Sequence, residues 1–190
     1  MRMNTICTDI RGFVHEACQR RENVLGPAFF DLHLVVVAEC AASLAAPMGA
    51  EIEVVDLAAY LHDLSAVCDF ATMLDHARAS ADLATRLLLG KGCPPSIVSG
   101  VARSINSHSE PIPIGGASPE EICISNADAA ARILRPAYWM YFVFEIRKYD
   151  FEAGRQWLRA LIERQWRKLI EPARKLVGER YAATLKLLLE

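Results

Sequence analysis

The sequence predicts an all-α protein that folds as a single domain, a bundle of many helices. Apolar residues recur at three- and four-residue steps through almost the whole chain, and no stretch has the alternation of a clear β-strand. At 190 residues, of which 53% are hydrophobic, the chain is long enough to bury a sizeable core. We therefore expect one domain over residues 1–190.

Helix-breaking residues separate the predicted helices. Breaks fall at Gly26-Pro27, at 47–49, at 90–95 and in the motif EPIPIGG after His108. The helices are predicted at residues 4–20, 28–46, 53–64, 75–89, 96–108, 119–134, 138–148, 151–170 and 173–189.

The motif SPEE gives the clearest helix start. Ser118 can cap the helix, Pro119 suits its first turn, and Glu121 can complete a capping box with Ser118. Pro136 is expected to stop the same helix, because proline cannot continue it.

Charge and hydropathy limit the classes of partner that we expect. The net charge is −2, whereas a protein that binds nucleic acid is more often strongly basic, so nucleic acid is not an expected partner. The N-terminal stretch MRMNTICTDIRGF has no continuous apolar segment, so no signal peptide is expected. The apolar stretch LHLVVVAECAASLAAPMGA carries His33, Glu39 and Pro47, and AYWMYFVFEI is too short to span a bilayer. We expect no membrane partner.

The six cysteines are scattered along the chain, and none forms a C-x-x-C pair. This argues against a zinc ribbon and for a reducing compartment, which predicts a cytoplasmic protein. Several cysteines lie in apolar helical stripes, where a free thiol behaves as a small hydrophobic side chain.

The C-terminal third is rich in arginine and lysine. Glu152, Glu163, Glu171 and Glu179 interleave with these basic residues, so the preferred interpretation is the solvated faces of two helices rather than a nucleic-acid surface. The run YWMYFVF is expected to pack these helices onto the core or to form a contact in a homodimer.

Four of the five histidines lie on apolar stripes of four different predicted helices, and they are His33, His62, His76 and His108. A single histidine on such a stripe is more often a core residue that is satisfied locally than a ligand. Four of them, together with Asp63 and Asp128, would be costly to bury without a common partner. His15, in contrast, shares its helix face with charged residues and is expected on the surface.

A divalent metal ion is the partner that fits these side chains. Imidazole nitrogen and carboxylate oxygen suit manganese, iron, zinc and nickel. His33, the pair His62-Asp63 and Asp128 could close one coordination shell and leave positions open for water and substrate. Adjacent helix residues diverge by about 100°, so the pair can share an ion only if the ion lies between their side-chain directions.

The chain resembles the HD-domain superfamily of metal-dependent phosphohydrolases. The motifs that carry the resemblance are HLVVVAECAASLA, AAYLHDLS, DHARASADLATRLL, VARSINSH and ISNADAAARI, in the order that the superfamily shows. The resemblance covers residues 29–134 and implies an HD-domain bundle with a metal site in the core cleft. Residues 137–190 would then be a C-terminal helical extension packed on that core.

The resemblance also assigns the site residues. The ligands that it implies for the first metal are His33, His62, Asp63 and Asp128. Asp63 would also bridge to a second metal and act in catalysis. His76 and His108 match the histidines that bind a second metal in some members and contact substrate phosphate in others. The cofactor is thus one or two divalent ions of manganese, iron, cobalt, nickel, zinc or magnesium.

Three features depart from patterns that many members share. The chain reads HDLSA where many members read HDIGK, and Ser109 follows His108 where many phosphodiesterases have paired histidines. No GYP signature appears, so cleavage of cyclic dinucleotides is not expected.

The expected activity is hydrolysis of a phosphate ester or anhydride by metal-activated water, in a small phosphorylated molecule such as a nucleotide. Arg103 and Arg132 are candidate phosphate contacts, although surface arginines on amphipathic helices are an interpretation at least as well supported. Asp69 could act as an acid or base beyond the ligands, although a loop or cap aspartate is the preferred interpretation. The segment 68–74 and the PIPIGG loop are candidates for the edge of the site.

Two other functions stay open at this point. A subset of HD-domain proteins holds two irons with four histidines and two aspartates and runs oxygenase chemistry, and this chain has those six ligand types. A non-catalytic regulatory module that binds metal is the third hypothesis. The apparently complete ligand set argues against it, because a degenerate site would have lost ligands.

Overall fold

A computed structural model of the chain describes residues 3–109, 112 and 115–189. These residues form ten α-helices joined mostly by short turns, and none of them lies in a β-strand. The prediction of an all-α fold is confirmed.

The helices are α1 (Met3–Cys18), α2 (Val35–Met48), α3 (Ile52–Leu61), α4 (Leu64–Cys68), α5 (His76–Gly90), α6 (Pro95–Ser107), α7 (Pro119–Leu134), α8 (Pro136–Tyr141), α9 (Phe151–Lys168) and α10 (Glu171–Leu189). A π-helical turn, Phe30–Leu34, leads directly into α2, and a second, Phe142–Ile146, follows α8. A 3₁₀ turn, Phe70–Asp75, precedes α5.

Helix α7 begins with the predicted capping box. Ser118 Oγ accepts a hydrogen bond from the Glu121 backbone N–H at 3.3 Å, and Glu121 Oε2 accepts one from the Ser118 N–H at 3.0 Å. Pro119 lies in the first turn, and the chain changes direction before Pro136, the first residue of α8. The helix that carries Asp128 therefore has both ends fixed by local sequence.

Helix α2 ends two residues later than the sequence predicts. Gly49 follows the helix with φ of 68°, a left-handed conformation that glycine adopts without steric cost, and its N–H donates to Ala45 O and Ala46 O. Pro47 lies in the last turn and does not break the helix.

The largest departure from the predicted helices is a break in the segment 53–64. Helix α3 ends at Leu61, His62 and Asp63 form a turn, and α4 begins at Leu64. The Ser65 backbone N–H donates to Ser80 Oγ of α5 at 3.0 Å instead of bonding to the carbonyl four residues earlier. A tertiary contact therefore replaces the helical hydrogen bond just after the break.

Helix α7 is the buried centre of the bundle. It packs against α2, α3, α6, α9 and α10. Small buried residues line it, among them Ala127, Ala129, Ala130 and Ala131, so neighbouring helices approach closely. Helices α9 and α10, which follow the segment with the HD-like motifs, both pack on α7. The aromatic run before these two helices is partly buried. Within this run, Tyr138 donates its O–H to Leu25 O at 2.9 Å.

The helical stretch Phe30–Met48, formed by the first π-helical turn and α2, is long and apolar enough to cross a membrane, with a mean hydropathy of 1.4. Half of it is buried inside the protein, and it carries the fully buried His33. Such burial is typical of the core helix of a folded domain.

Candidate metal centre

The two oxygens of the Asp63 carboxylate face two pairs of imidazole nitrogens, and His62, Asp63 and His108 also lie close enough together to hold an ion. Oδ2 lies 3.1 Å from His62 Nε2 and 3.5 Å from His33 Nε2. Oδ1 lies 3.4 Å from His76 Nε2 and 3.8 Å from His108 Nε2. All four inward histidines therefore have an Nε2 atom within 3.8 Å of the same carboxylate.

The first group consists of His33, His62, Asp63 and Asp128. The Nε2 atoms of His33 and His62 are 3.2 Å apart, and Asp128 Oδ1 lies 3.3 Å from His33 Nε2 and 3.8 Å from His62 Nε2. His33, His62 and Asp128 form a group of buried donor atoms that could hold an ion.

The second group consists of His76, His108 and Asp63 Oδ1. The Nε2 atoms of His76 and His108 are 3.2 Å apart. His108 is fully buried, whereas the side chain of His76 is 17% exposed. The second group is therefore more open to solvent than the first.

Backbone contacts orient three of the histidines. The Nδ1 atoms of His62, His76 and His108 lie 2.9, 2.9 and 2.6 Å from the carbonyl oxygens of Ala59, Met73 and Ile105. A carbonyl only accepts, so Nδ1 carries the proton and Nε2 keeps its lone pair for a metal. The hydrogen bond that would satisfy a core histidine thus leaves the other ring nitrogen free to bind. His33 Nδ1 is buried and has no hydrogen-bond partner among the described residues.

The spacing of these atoms fits divalent metal ions. Ligand bonds of about 2.1 Å that meet at tetrahedral or octahedral angles place neighbouring donor atoms about 3.0–3.4 Å apart. The contacts between neighbouring donor atoms in both groups range from 3.1 to 3.8 Å. In the second group two imidazole lone pairs face each other at 3.2 Å, and in the first group the Nε2 atoms of His33 and His62 lie equally close. A cation between the two nitrogens would stabilise either pair.

The site holds Asp63, Asp128 and His108 in the protonation states that metal binding needs. Burial opposes the charged form of His62, but Asp63 and Asp128 raise its pKa, so a cation would have to displace a proton there. Burial works to raise the pKa of Asp63, but the surrounding imidazoles, His62 first, hold that pKa well below its usual range. Burial likewise opposes ionisation of Asp128, and Arg132 with the nearby histidines holds its pKa low. Burial, with His62 nearby, lowers the pKa of His108 to about 3. Both carboxylates are thus charged and His108 is neutral near pH 7.

The position of the ligands in the fold follows from where helices end. His33 lies on the π-helical turn before α2, a feature often found at functional sites. His76 is the first residue of α5, and His108 follows the last residue of α6. Only Asp128 lies in the middle of a helix, so its direction depends on the packing of α7.

A cavity of about 180 Å³ opens beside the metal centre, with Asp63 and His76 in its wall. Its other lining residues are aromatic, aliphatic or basic, and they are Leu25, Phe29, Met73, Arg132, Trp139, Phe142, Arg147, Trp157, Leu161 and Arg164. Met73 comes from the segment 68–74, a predicted edge of the site. Of the PIPIGG loop, residues 111, 113 and 114 lie outside the described residues.

Arg132 links this cavity to the first group of ligands. Its Nε donates to Asp128 Oδ1 at 2.9 Å, and its guanidinium lies over the ring of Trp139, 4.5 Å from the centroid. Its terminal nitrogens make no hydrogen bond with the described residues. Arg132 can therefore hold Asp128 in place and still present N–H donors to a ligand.

The structure does not bring Arg103 to this site. Arg103 is exposed on α6, donates to Ser99 Oγ at 2.8 Å, and acts electrostatically on Glu120. Glu120 precedes Asp128 by eight residues on α7, which is about 12 Å along the helix axis. Asp69 is an exposed cap residue whose Oδ1 accepts from the Ala71 N–H at 3.0 Å, and His15 is exposed on α1.

Arg147 and Arg164 are cavity residues that the sequence interpretation missed, because it assigned the C-terminal basic residues to solvated helix faces. Both residues are exposed to solvent and line the cavity. Their charges follow the pattern of an ordinary amphipathic segment, so only the packing of α9 and of the π-helical turn before it reveals that they line the cavity.

The HD-domain family model matches residues 30–133 of the chain, more than half of its length. The chain belongs to the HD-domain family. The matched residues of this HD-domain protein include all six ligand candidates and Arg132, but not Arg147, Trp157 or Arg164.

Two solved structures share the fold of this HD-domain protein. One is a predicted HD superfamily hydrolase from an uncultured Thermotogales bacterium, 24% identical, with a TM-score of 0.62 over 96% of this chain and 88% of that one. The other is Bacillus subtilis YpgQ in complex with ADP, 20% identical, with a TM-score of 0.66 over 96% of this chain and 94% of that one. No curated protein gives a significant match to the chain.

Proposed function

We propose that this HD-domain protein is a metal-dependent phosphohydrolase that cleaves a phosphate ester or anhydride in a small molecule. One observation carries the proposal: the Asp63 carboxylate lies between two pairs of imidazole nitrogens, in the wall of a cavity that three arginines line. The ligand atoms suit divalent cations, and the arginines suit a phosphate.

Each residue has a definite role in this proposal. His33, His62, Asp63 and Asp128 would hold one ion, and His76 and His108 would hold a second with the other oxygen of Asp63. Bound ions of this kind lower the pKa of water and neutralise charge on phosphoryl oxygens. Arg132 would keep the Asp128 carboxylate oriented and donate hydrogen bonds to a phosphoryl oxygen from its terminal nitrogens.

A nucleotide is the substrate class that we favour within this reaction. Trp139, Phe142 and Trp157 line the cavity, and aromatic rings can stack on a nucleobase. The ADP complex of the similar Bacillus subtilis protein supports the same substrate class. A volume of about 180 Å³ is smaller than the roughly 300–1,000 Å³ that enclose a drug-sized ligand. The phosphates would therefore enter the cavity, and the nucleoside would lie across its mouth.

The charge of the cavity distinguishes this function from the oxygenase alternative. The same six ligands could hold two irons, so the ligands alone do not decide. Apart from Asp63, the charged residues in the cavity wall are Arg132, Arg147 and Arg164, which favours an anionic substrate. This observation supports the hydrolase, and none of the described contacts specifically favours the oxygenase.

Phosphate release from a panel of nucleotides and phosphomonoesters tests the proposal, with manganese, cobalt or magnesium added to metal-free protein. We expect turnover with at least one metal, and loss of turnover in Asp63→Asn. Asp82→Asn is the matched control, since Asp82 is an exposed residue of α5. Absence of turnover with every metal, combined with oxygen consumption by iron-loaded protein, would refute the hydrolase and support the oxygenase.

A further inference from the structure

Trp139, a residue of the cavity wall, carries a buried hydrogen-bond donor that has no partner in the described part of the chain. The residue is 4% exposed, and the donor is its indole Nε1. The ring itself is well packed: it meets His33 edge-on with 5.4 Å between ring centroids and lies beneath the Arg132 guanidinium. A buried indole N–H normally finds an acceptor, because a buried donor left unpaired loses its hydrogen bond to water without a replacement. An acceptor on a bound ligand would supply the missing partner.

Two guanidinium groups of the cavity wall lie close enough to act on each other electrostatically. Arg132 and Arg164 both line the cavity, and Arg164 makes no hydrogen bond or ion pair with the described residues. Burial, with Arg132 and Arg167 nearby, lowers the pKa of Arg164, as expected where like charges approach. A bound anion would relieve this repulsion.

Donors dominate the part of the cavity away from the ligands. Apart from Asp63 and His76, which belong to the metal centre, every polar side chain in the wall is a donor, and these are Arg132, Trp139, Arg147, Trp157 and Arg164. A group with several acceptor oxygens and negative charge would fit such a wall. The phosphoryl group that reacts would lie at the metal centre. The donor-rich wall would therefore face the part of the substrate that is bonded to that phosphoryl group.

We propose that the Trp139 indole N–H and the Arg164 guanidinium bind a second phosphate of the substrate, next to the one that reacts. This inference rests on the proposed phosphohydrolase function and makes the substrate more specific: a compound in which at least two phosphates are linked. Trp139 and Arg164 both lie outside residues 30–133, the segment that matches the family model. The C-terminal helices would thus supply the substrate specificity, and the family core would supply the metal centre.

Calorimetric titration with inorganic pyrophosphate and inorganic phosphate tests the inference without requiring turnover. Manganese-loaded protein and ligand are kept at the same free manganese concentration. The variants are Trp139→Phe, which removes one N–H and keeps an aromatic ring, and Arg164→Gln, which removes an exposed charge. Their controls are Trp166→Phe and Arg86→Gln, since neither residue lines this cavity.

We expect the unmodified protein to bind pyrophosphate at least about tenfold more tightly than phosphate. Arg164→Gln should weaken pyrophosphate binding about tenfold or more, and Trp139→Phe about threefold, with phosphate binding changed less than about twofold. The controls should bind both ions as the unmodified protein does. Unchanged pyrophosphate affinity in either variant would overturn the assignment of that residue. An equal loss for both ions, or the same loss in Arg86→Gln, would overturn the second-phosphate subsite.

Failure of the subsite and failure of the proposed function give different results. A protein that releases phosphate from monoesters but binds pyrophosphate no better than phosphate is a phosphohydrolase without this subsite. A protein that never releases phosphate yet shows the expected pyrophosphate preference keeps the subsite and loses the hydrolase function. If Trp139→Phe does not fold, Arg164→Gln decides the question alone, because the exposed Arg164 side chain can be truncated without opening the core.

Discussion

Asp63 Oδ2 lies 3.1 Å from His62 Nε2, although the two residues are adjacent in sequence. Side chains of adjacent residues in a continuous helix diverge by about 100° and cannot meet in this way. The contact exists because the helix breaks here: Asp63 has φ of −110° and ψ of 13°, outside the helical range. The side chains of His62 and Asp63 therefore meet at the metal centre only if this turn between α3 and α4 is kept.

Removal of the Ser80 hydroxyl should weaken this turn. Ser80 Oγ accepts from the Ser65 N–H and donates to Ser65 Oγ, which in turn donates to the His76 carbonyl oxygen at 3.1 Å. Ser80→Ala leaves a buried N–H unpaired, so we expect a loss of about 1–3 kcal/mol in the free energy of unfolding. Manganese affinity should fall about tenfold, because His76 loses part of its support. Urea unfolding and metal titration measure the two effects.

Ser107→Ala is the control for this experiment, since its exposed hydroxyl donates to the Arg103 carbonyl oxygen on the helix surface. Its unfolding free energy should change by less than about 0.5 kcal/mol. A Ser80→Ala protein with unchanged stability and metal affinity would show that the turn does not depend on this contact.

The number of bound ions should separate the two ligand groups. His76→Ala removes a ligand from the second group only, so the metal content should fall from two ions per chain to one, as measured by mass spectrometry after dialysis. Asp63→Asn removes the charge that both groups share and should reduce affinity at each by at least about 100-fold. His15→Ala should leave the metal content unchanged, because His15 lies on the exposed face of α1. One ion per chain in both the unmodified protein and His76→Ala would exclude the second group as a metal site.

The helices and the identity of the buried histidines could be predicted from periodicity alone. His33, His62 and His108 are fully buried, as their places on apolar stripes predict. The break at His62-Asp63 left no signal, since no glycine or proline marks it and a serine on a distant helix fixes it. The sequence interpretation had to place the metal between diverging side chains, whereas the turn brings them together.

The arginines show a second limit of sequence interpretation. Arg103 and Arg132 are equally plausible phosphate contacts in the sequence, but only Arg132 lines the cavity. Arg147 and Arg164 reach the same cavity from segments far along the chain. Helical periodicity gives the face on which a side chain lies, but the neighbour of that face depends on how helices pack.

Arg132→Gln should destabilise the metal-free protein more than the metal-loaded one. The change leaves the Asp128 carboxylate, 3% exposed, without its cationic partner, which typically costs about 3–5 kcal/mol for a buried pair. A bound cation at the first ligand group would compensate that charge, so the loss should shrink with saturating manganese. Urea unfolding with and without manganese gives both values.

The double variant Asp128→Asn with Arg132→Gln is the matched control for the charge. The double variant leaves no unpaired side-chain charge in the core, so the metal-free protein should regain most of the lost stability. It should nevertheless bind manganese poorly, since a ligand is gone. Equal losses for Arg132→Gln with and without metal would indicate that Asp128 does not contact the ion.

Gly154 should be intolerant of a side chain, because the C-terminal helices meet the aromatic run at this residue. A Cβ on Gly154 of α9 would lie 2.2 Å from Phe144 Cε1 and 2.8 Å from Phe144 Cζ. Overpacking of this kind costs about 1–3 kcal/mol, which outweighs the roughly 0.5–1 kcal/mol that alanine gains over glycine within a helix. We therefore expect Gly154→Ala to lower the unfolding free energy by about 1–2 kcal/mol in urea unfolding.

Two further variants separate the clash from the general effect of alanine in a helix. Gly178 of α10 has no atom within 4 Å of an added Cβ, so Gly178→Ala should be neutral or stabilising. Phe144→Leu in the Gly154→Ala background removes the ring atoms that the methyl group meets, and the double variant should be more stable than the two separate losses predict. Strict additivity would mean that the ring already moves away at no cost, and that the approach of α9 to Phe144 does not hold the C-terminal helices on the cavity.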